Sequence, residues 1–217
     1  MTDASMRAAA WAAPGKLRVL GGVALHALLG WSAVWLPSTT SGASRDWLWG
    51  AAGAVVLGGL RLAAARWPAA RPASSSLVRC ALALCAAASI DFSISAPDRL
   101  LSVCSADTSW DAQFTSLIEH LGACPVSGAA MVGLVLFEFT GGQGRASFFR
   151  AALAVAAMLA AMSFAMGALP WLARSMQWPW TADALVFSMI CSMLLLHLLP
   201  LQPQRRNEAC PYREFPA

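Results

Sequence analysis

Charge is scarce in this chain: 12% of its 217 residues are Asp, Glu, Lys or Arg, about half the usual share of a soluble domain. Equally absent are the short patterns that announce chemistry. There is no HExxH run, no CxxC pair, no serine, histidine and acid arrangement, and no phosphate-cradling glycine loop. These absences exclude a zincin, a zinc ribbon, a thioredoxin-like site and a nucleotide site as readings of the sequence. Gly141-Gly142-Gln143-Gly144 follows no strand and reads as a turn. With three histidines in all, at most one bis-histidine haem site is available. No catalytic activity is expected.

What the chain has instead is six stretches of mostly apolar residues, near 19–37, 47–65, 78–96, 116–139, 150–171 and 183–201. Spanning a bilayer takes roughly 20 such residues at about 1.5 Å each. The expected fold class is therefore an all-α membrane protein, a single bundle of six transmembrane helices flanked by short tails at 1–18 and 202–217. The longest loop, about Pro97 to Thr115, is too short for an independent core.

Arginines set the orientation, because segments rich in Lys and Arg resist export. Arg7, Lys16, Arg18, Arg66, Arg71, Arg79, Arg145, Arg150, Arg205, Arg206 and Arg213 fall on one side, against Arg45, Arg99 and Arg174 on the other. Both termini are thus expected in the cytoplasm, in a bacterial inner membrane. Trp31, Trp35, Trp47, Trp49, Trp171, Trp178 and Trp180 gather near the outer boundary, where an indole sits between headgroups and tails. A competing reading takes the first stretch as a secretory signal ending near Ser41-Gly42-Ala43. The basic excess follows topology and implies no nucleic-acid partner.

Small residues suggest packing seams, since lipid gives helices no hydrophobic reason to associate. Gly50, Ala54 and Gly58 form one on the second stretch, Gly21, Gly22 and Gly30 one on the first, and Ala152, Ala156 and Ala160 one on the fifth.

The fourth stretch carries His120, Cys124, Ser127, Met131 and Glu138, which at about 100° per residue stay close to one line. Ionisable groups in a bilayer are costly, so this line should face protein or water. Pro125 lies within it and is expected to free the carbonyl of Leu121 and kink the helix. Met158, Met162 and Met166 on the fifth stretch, and Met189, Met193 and His197 on the sixth, repeat at one-turn spacing. Thioether, thiol and imidazole suit Cu(I), and Cys with His also suits zinc. A seam between the last three spans would form a ladder of soft donors, the path of a bound or transported metal ion. The same methionines serve equally well as flexible apolar gap-fillers.

Asp91 and Glu119 lie at a depth similar to His120. Asp91 is a partner for that imidazole or an interfacial cap, and Glu119 suits the positive N-terminal end of its helix. Cys104, expected in the outer loop, is a candidate partner for Cys124, either in a disulfide or as a thiol pair that captures a metal. Cys80, Cys85 and Cys191 read as small apolar fillers. His26 and His197 are the pair at matching depth for a b-type haem.

The methionine spacing is similar to the MxxxM element of Ctr-type copper transporters, and Cys124-Pro125 resembles the CP pair of heavy-metal ATPases. Ctr subunits have three spans, and no ATP-binding or phosphorylated-aspartate domain is expected here, so neither likeness assigns a residue its role. In length and topology the chain also resembles six-span membrane anti-sigma factors. That likeness implies a second class of function, a membrane-anchored regulator or assembly factor acting through its cytoplasmic tails, with a protein partner or a second copy of the chain bound there.

Overall fold

Long apolar runs with few internal breakers satisfy their own backbone as helices, the structure a hydrocarbon solvent demands. The computed structural model describes residues 3–41, 46–67, 71–95, 118–139 and 145–198, and these are helices with their connecting turns. The helices are α1 (Asp3–Ser41), α2 (Trp47–Arg66), α3 (Arg71–Ile94), α4 (Pro125–Phe139), α5 (Arg145–Ser175) and α6 (Ala182–Leu198). A helical stretch over 118–123 leads into α4. Cys104, the segment 97–117 and the C-terminal tail lie outside the described residues.

Four segments are long and apolar enough to cross a membrane: Leu17–Thr39, Trp47–Arg66, Ala73–Ile94 and Phe148–Ser175. The other two, Pro125–Glu138 and Ala182–His197, are apolar but short. The fourth is short because the expected kink is a break. Cys124 leaves helical geometry, and α4 restarts with Pro125 as its first residue, where a missing N–H costs nothing. Large apolar side chains such as Leu28, Val55, Ile94, Phe137 and Phe164 cover the exterior, as in a transmembrane protein whose solvent is lipid.

The centre of the bundle is α6, which packs against α1, α2, α3 and α5. Every residue from Thr181 to Ile190 is buried. Its serines do not disturb that burial, because Ser188 and Ser192 donate back to the carbonyls of Leu185 and Ser188.

Between α1 and α2 the backbones nearly touch. A Cβ on Gly30 would lie 2.2 Å from the Gly53 carbonyl oxygen, and one on Gly53 would lie 2.6 Å from the Gly30 oxygen. Such approach supplies dispersion and weak C–H···O contacts where lipid supplies no hydrophobic force. Gly50 faces the Trp31 ring and Gly58 faces Ala27, while Gly21 meets nothing within 4 Å. Gly53 is therefore the partner that the expected seam lacked.

The seam expected on α5 is overturned. Ala152, Ala156 and Ala160 are exposed, whereas Ala151, Ala154, Met158, Met162 and Ala165 are buried. Residues 156 and 158 lie about 200° apart on a helix, so one alanine stripe and one methionine stripe cannot both face inward. The methionines hold the packed face.

Tryptophans and a buried aspartate tie one end of the bundle. Asp183, in the first turn of α6, accepts hydrogen bonds from Ser38 Oγ of α1 and from the Asp46 backbone N at 2.9 Å. Asp46 in turn caps α2 by accepting from Leu48 N at 2.9 Å. The last turn of α5 closes with Gln177 at φ 57° and bonds from Gln177 N to Arg174 O and from Trp178 N to Ala173 O, a Schellman ending. It turns Trp178 against Trp49, which also meets Trp180 and Phe187 and donates from Nε1 to Pro179 O at 3.0 Å.

Candidate functional site

Two groups of buried ionisable residues sit on the line drawn through His120 and Glu138. Eighteen positions along a helix span about 27 Å, so they lie near opposite ends of the bundle.

At the first, Asp91 of α3 is 1% exposed, beside His120 and Ser127 at 0%. Its carboxylate accepts from Val126 N at 3.0 Å and Ser127 N at 2.7 Å. These are donors that the first turn of α4 cannot satisfy internally, and the positive end of that helix favours an anion there. Ser95 Oγ donates to the Ala123 carbonyl at 3.3 Å, compensating the broken ladder. Asp91 thus caps a neighbouring helix from within the bundle, and its charge also acts on His120 electrostatically. Glu119 is exposed at the start of this segment.

The second group gathers the N-terminal half of α3 with the C-terminal turns of α4 and α6. Ser76, Arg79 and Cys80 share one face of α3 by their spacing of three and four. Ser76 Oγ donates to Glu138 Oε1. His197 Nε2 lies 2.8 Å from Ser76 Oγ and 3.1 Å from Glu138 Oε2. The other ring nitrogen, Nδ1, donates to the Met193 carbonyl at 2.6 Å, which fixes the ring and aims Nε2 at the cluster. Cys80 follows Ser76 by one turn on the same helix. The Cys80 sulfur, a Glu138 oxygen and a His197 nitrogen all lie within 4.8 Å of one another. Arg79 stands at the rim, 3.9 Å from Glu138 Oε1, with its side chain 64% exposed against 16% for the acid.

One thiol, one imidazole and one carboxylate from three helices make a donor set that transition metals accept. Nδ1 bonded to a backbone carbonyl is the usual outer support of a metal-ligating histidine.

The residues singled out from sequence divide accordingly. Met131, Met158, Met162, Met189 and Met193 are buried in the apolar core, and Met166 packs against it from a partly buried position. Cys124 belongs to the same core. The seam is broader than expected, because α3 packs against both α4 and α6, as α5 does. His197 and Glu138 come together; His120 and Cys124 stay at the other end. His26, of the expected haem pair, bonds through Nδ1 to Gly22 O of its own helix.

Ser76, Arg79 and Cys80 were not expected as site residues: Arg79 reads from the sequence as a topology-setting cation and Cys80 as an apolar filler. Their signal was a serine, an arginine and a cysteine at one-turn spacing near the N-terminal end of the third stretch, the same end of the bundle as Glu138 and His197. Compared with protein-family models, with curated proteins and with solved structures, the chain matches none of them.

Proposed function

We propose that the chain is a six-span inner-membrane protein, with both termini cytoplasmic, that binds a transition-metal ion at the cytoplasmic end of its bundle and passes it along the α3–α6 interior. The observation that carries this reading is the approach of Cys80, Glu138 and His197 donors to within 4.8 Å of one another in a buried setting. Orientation rests on the arginines: Arg66, Arg71, Arg79, Arg145 and Arg150 flank the end that holds this cluster. Toward the other end of the bundle Cys124 and His120, both buried, are the further thiol and imidazole that a passing ion would meet.

Metal analysis of the detergent-purified protein tests the binding step. Wild type is expected to retain a bound ion, and Cys80→Ser and His197→Ala to lose it. His120→Ala is expected to keep the ion in the purified protein while lowering metal accumulation in expressing cells. A wild-type protein that takes up no transition metal ends the proposal, and a His120→Ala variant with unchanged accumulation ends its transport half.

A further inference from the structure

The donor set at the inner cluster selects among metals. It rests on the metal reading above, and it narrows that reading to one class of ion. We infer that Cys80, Glu138 and His197 hold a divalent ion of the zinc class rather than Cu(I), and that the Ser76 hydroxyl keeps the ion's place when none is bound.

Charge argues for the divalent ion. A Cys80 thiolate and a Glu138 carboxylate carry two negative charges, and the cluster is buried at the end of an apolar bundle, where uncompensated charge is costly. A divalent ion cancels both; a monovalent one leaves one over. Arg79 does not alter the balance much, because its side chain is 64% exposed and its charge is shared with water and headgroups. Ligand hardness argues the same way. Cu(I) favours thiolates and thioethers, whereas zinc takes sulfur, nitrogen and carboxylate oxygen together. The methionines that suggested Cu(I) belong to the apolar core, and Met193 meets His197 through its backbone carbonyl.

Geometry supplies the place-holder. Ser76 Oγ bonds Glu138 and His197, so one hydroxyl holds two of the three donors, one helical turn before the third, Cys80. Tetrahedral zinc bonds of about 2.0–2.3 Å put donor atoms roughly 3.4–3.8 Å apart. Donors already within 4.8 Å need to close by about 1 Å once the hydroxyl rotates away. Metal binding then exchanges the hydrogen bonds of Ser76 with Glu138 and His197 for coordinate bonds, and both the Cys80 thiol proton and the His197 Nε2 proton leave to solvent. Three protein ligands leave a fourth position open, as an exchangeable ion requires.

Titration of the purified full-length protein in detergent with Co²⁺, a spectroscopic probe for zinc sites, tests the assignment. Tetrahedral visible bands with a thiolate-to-cobalt charge-transfer band are expected, both bleached by Zn²⁺. Cys80→Ser is expected to lose the charge-transfer band, and Ser76→Ala to bind Co²⁺ as tightly as wild type or tighter. Competition against a chelated Cu(I) source completes the test. Cu(I) held against excess Zn²⁺ at a Cys80-dependent site overturns the zinc assignment and leaves the metal site standing. A folded Ser76→Ala protein that binds Co²⁺ more than about tenfold more weakly overturns the place-holder role. Wild type that binds neither Co²⁺ nor Cu(I) overturns the metal reading as a whole.

Discussion

Buried carboxylates at the two ends of the bundle are satisfied in different ways. At one end, Asp91 accepts from the backbone N–H groups of Val126 and Ser127, and Asp183 from Ser38 and the Asp46 backbone. At the other, Glu138 meets only side chains among its described partners: Ser76, His197 and Arg79. Backbone donors cannot turn away without unravelling a helix end, so the first arrangement is architecture. Side chains can rotate, so the second can exchange its hydrogen bonds for another ligand. Burial of an ionisable group in a membrane helix therefore does not by itself mark a site; the nature of its partners separates the two cases.

That contrast is open to direct attack. The largest expected effect is at Asp91: Asp91→Ala removes two charge-assisted bonds and strands the N–H groups of Val126, part-buried, and Ser127, buried, a loss of about 3 kcal/mol. Thermal unfolding in detergent reads this, and a melting temperature equal to wild type would deny Asp91 its structural role. Next is the close backbone approach remote from either cluster. Gly30→Ala is expected to cost about 1–3 kcal/mol because α1 and α2 must move apart, whereas Gly21→Ala, with open space around it, should leave stability unchanged or raise it slightly. Equal melting of the two variants would dissolve the seam. A smaller loss than at Asp91 or Gly30 is expected at Glu138→Gln, about 1 kcal/mol, with metal retention lost all the same. A Glu138→Gln protein as damaged as Asp91→Ala would make both ends architecture and erase the distinction.

Much of this was legible in the residues. Helix positions followed from the apolar runs, and the line from His120 to Glu138 followed from helical periodicity; those residues are buried or, for Glu138, nearly so. The discontinuity at Cys124-Pro125 was legible too, but as a kink. Its conversion to a capped restart depends on Asp91, a residue 35 positions away from Val126, and no local pattern reports such a partner. The α5 face was misread because two stripes of small or flexible residues competed, and propensity does not rank them. Cys80 was passed over because a lone cysteine in an apolar helix is ordinarily a filler.

By itself the sequence determined an all-helical membrane protein and its polar line, because hydrophobic length and helical periodicity are local properties of the chain. Only tertiary structure decided which polar residues meet. Ser76 and His197 are 121 positions apart and Glu138 and His197 are 59 apart, and what joins them is the packing of α3 against α4 and α6, both of which run opposite to it, so that depth rather than sequence distance sets neighbours.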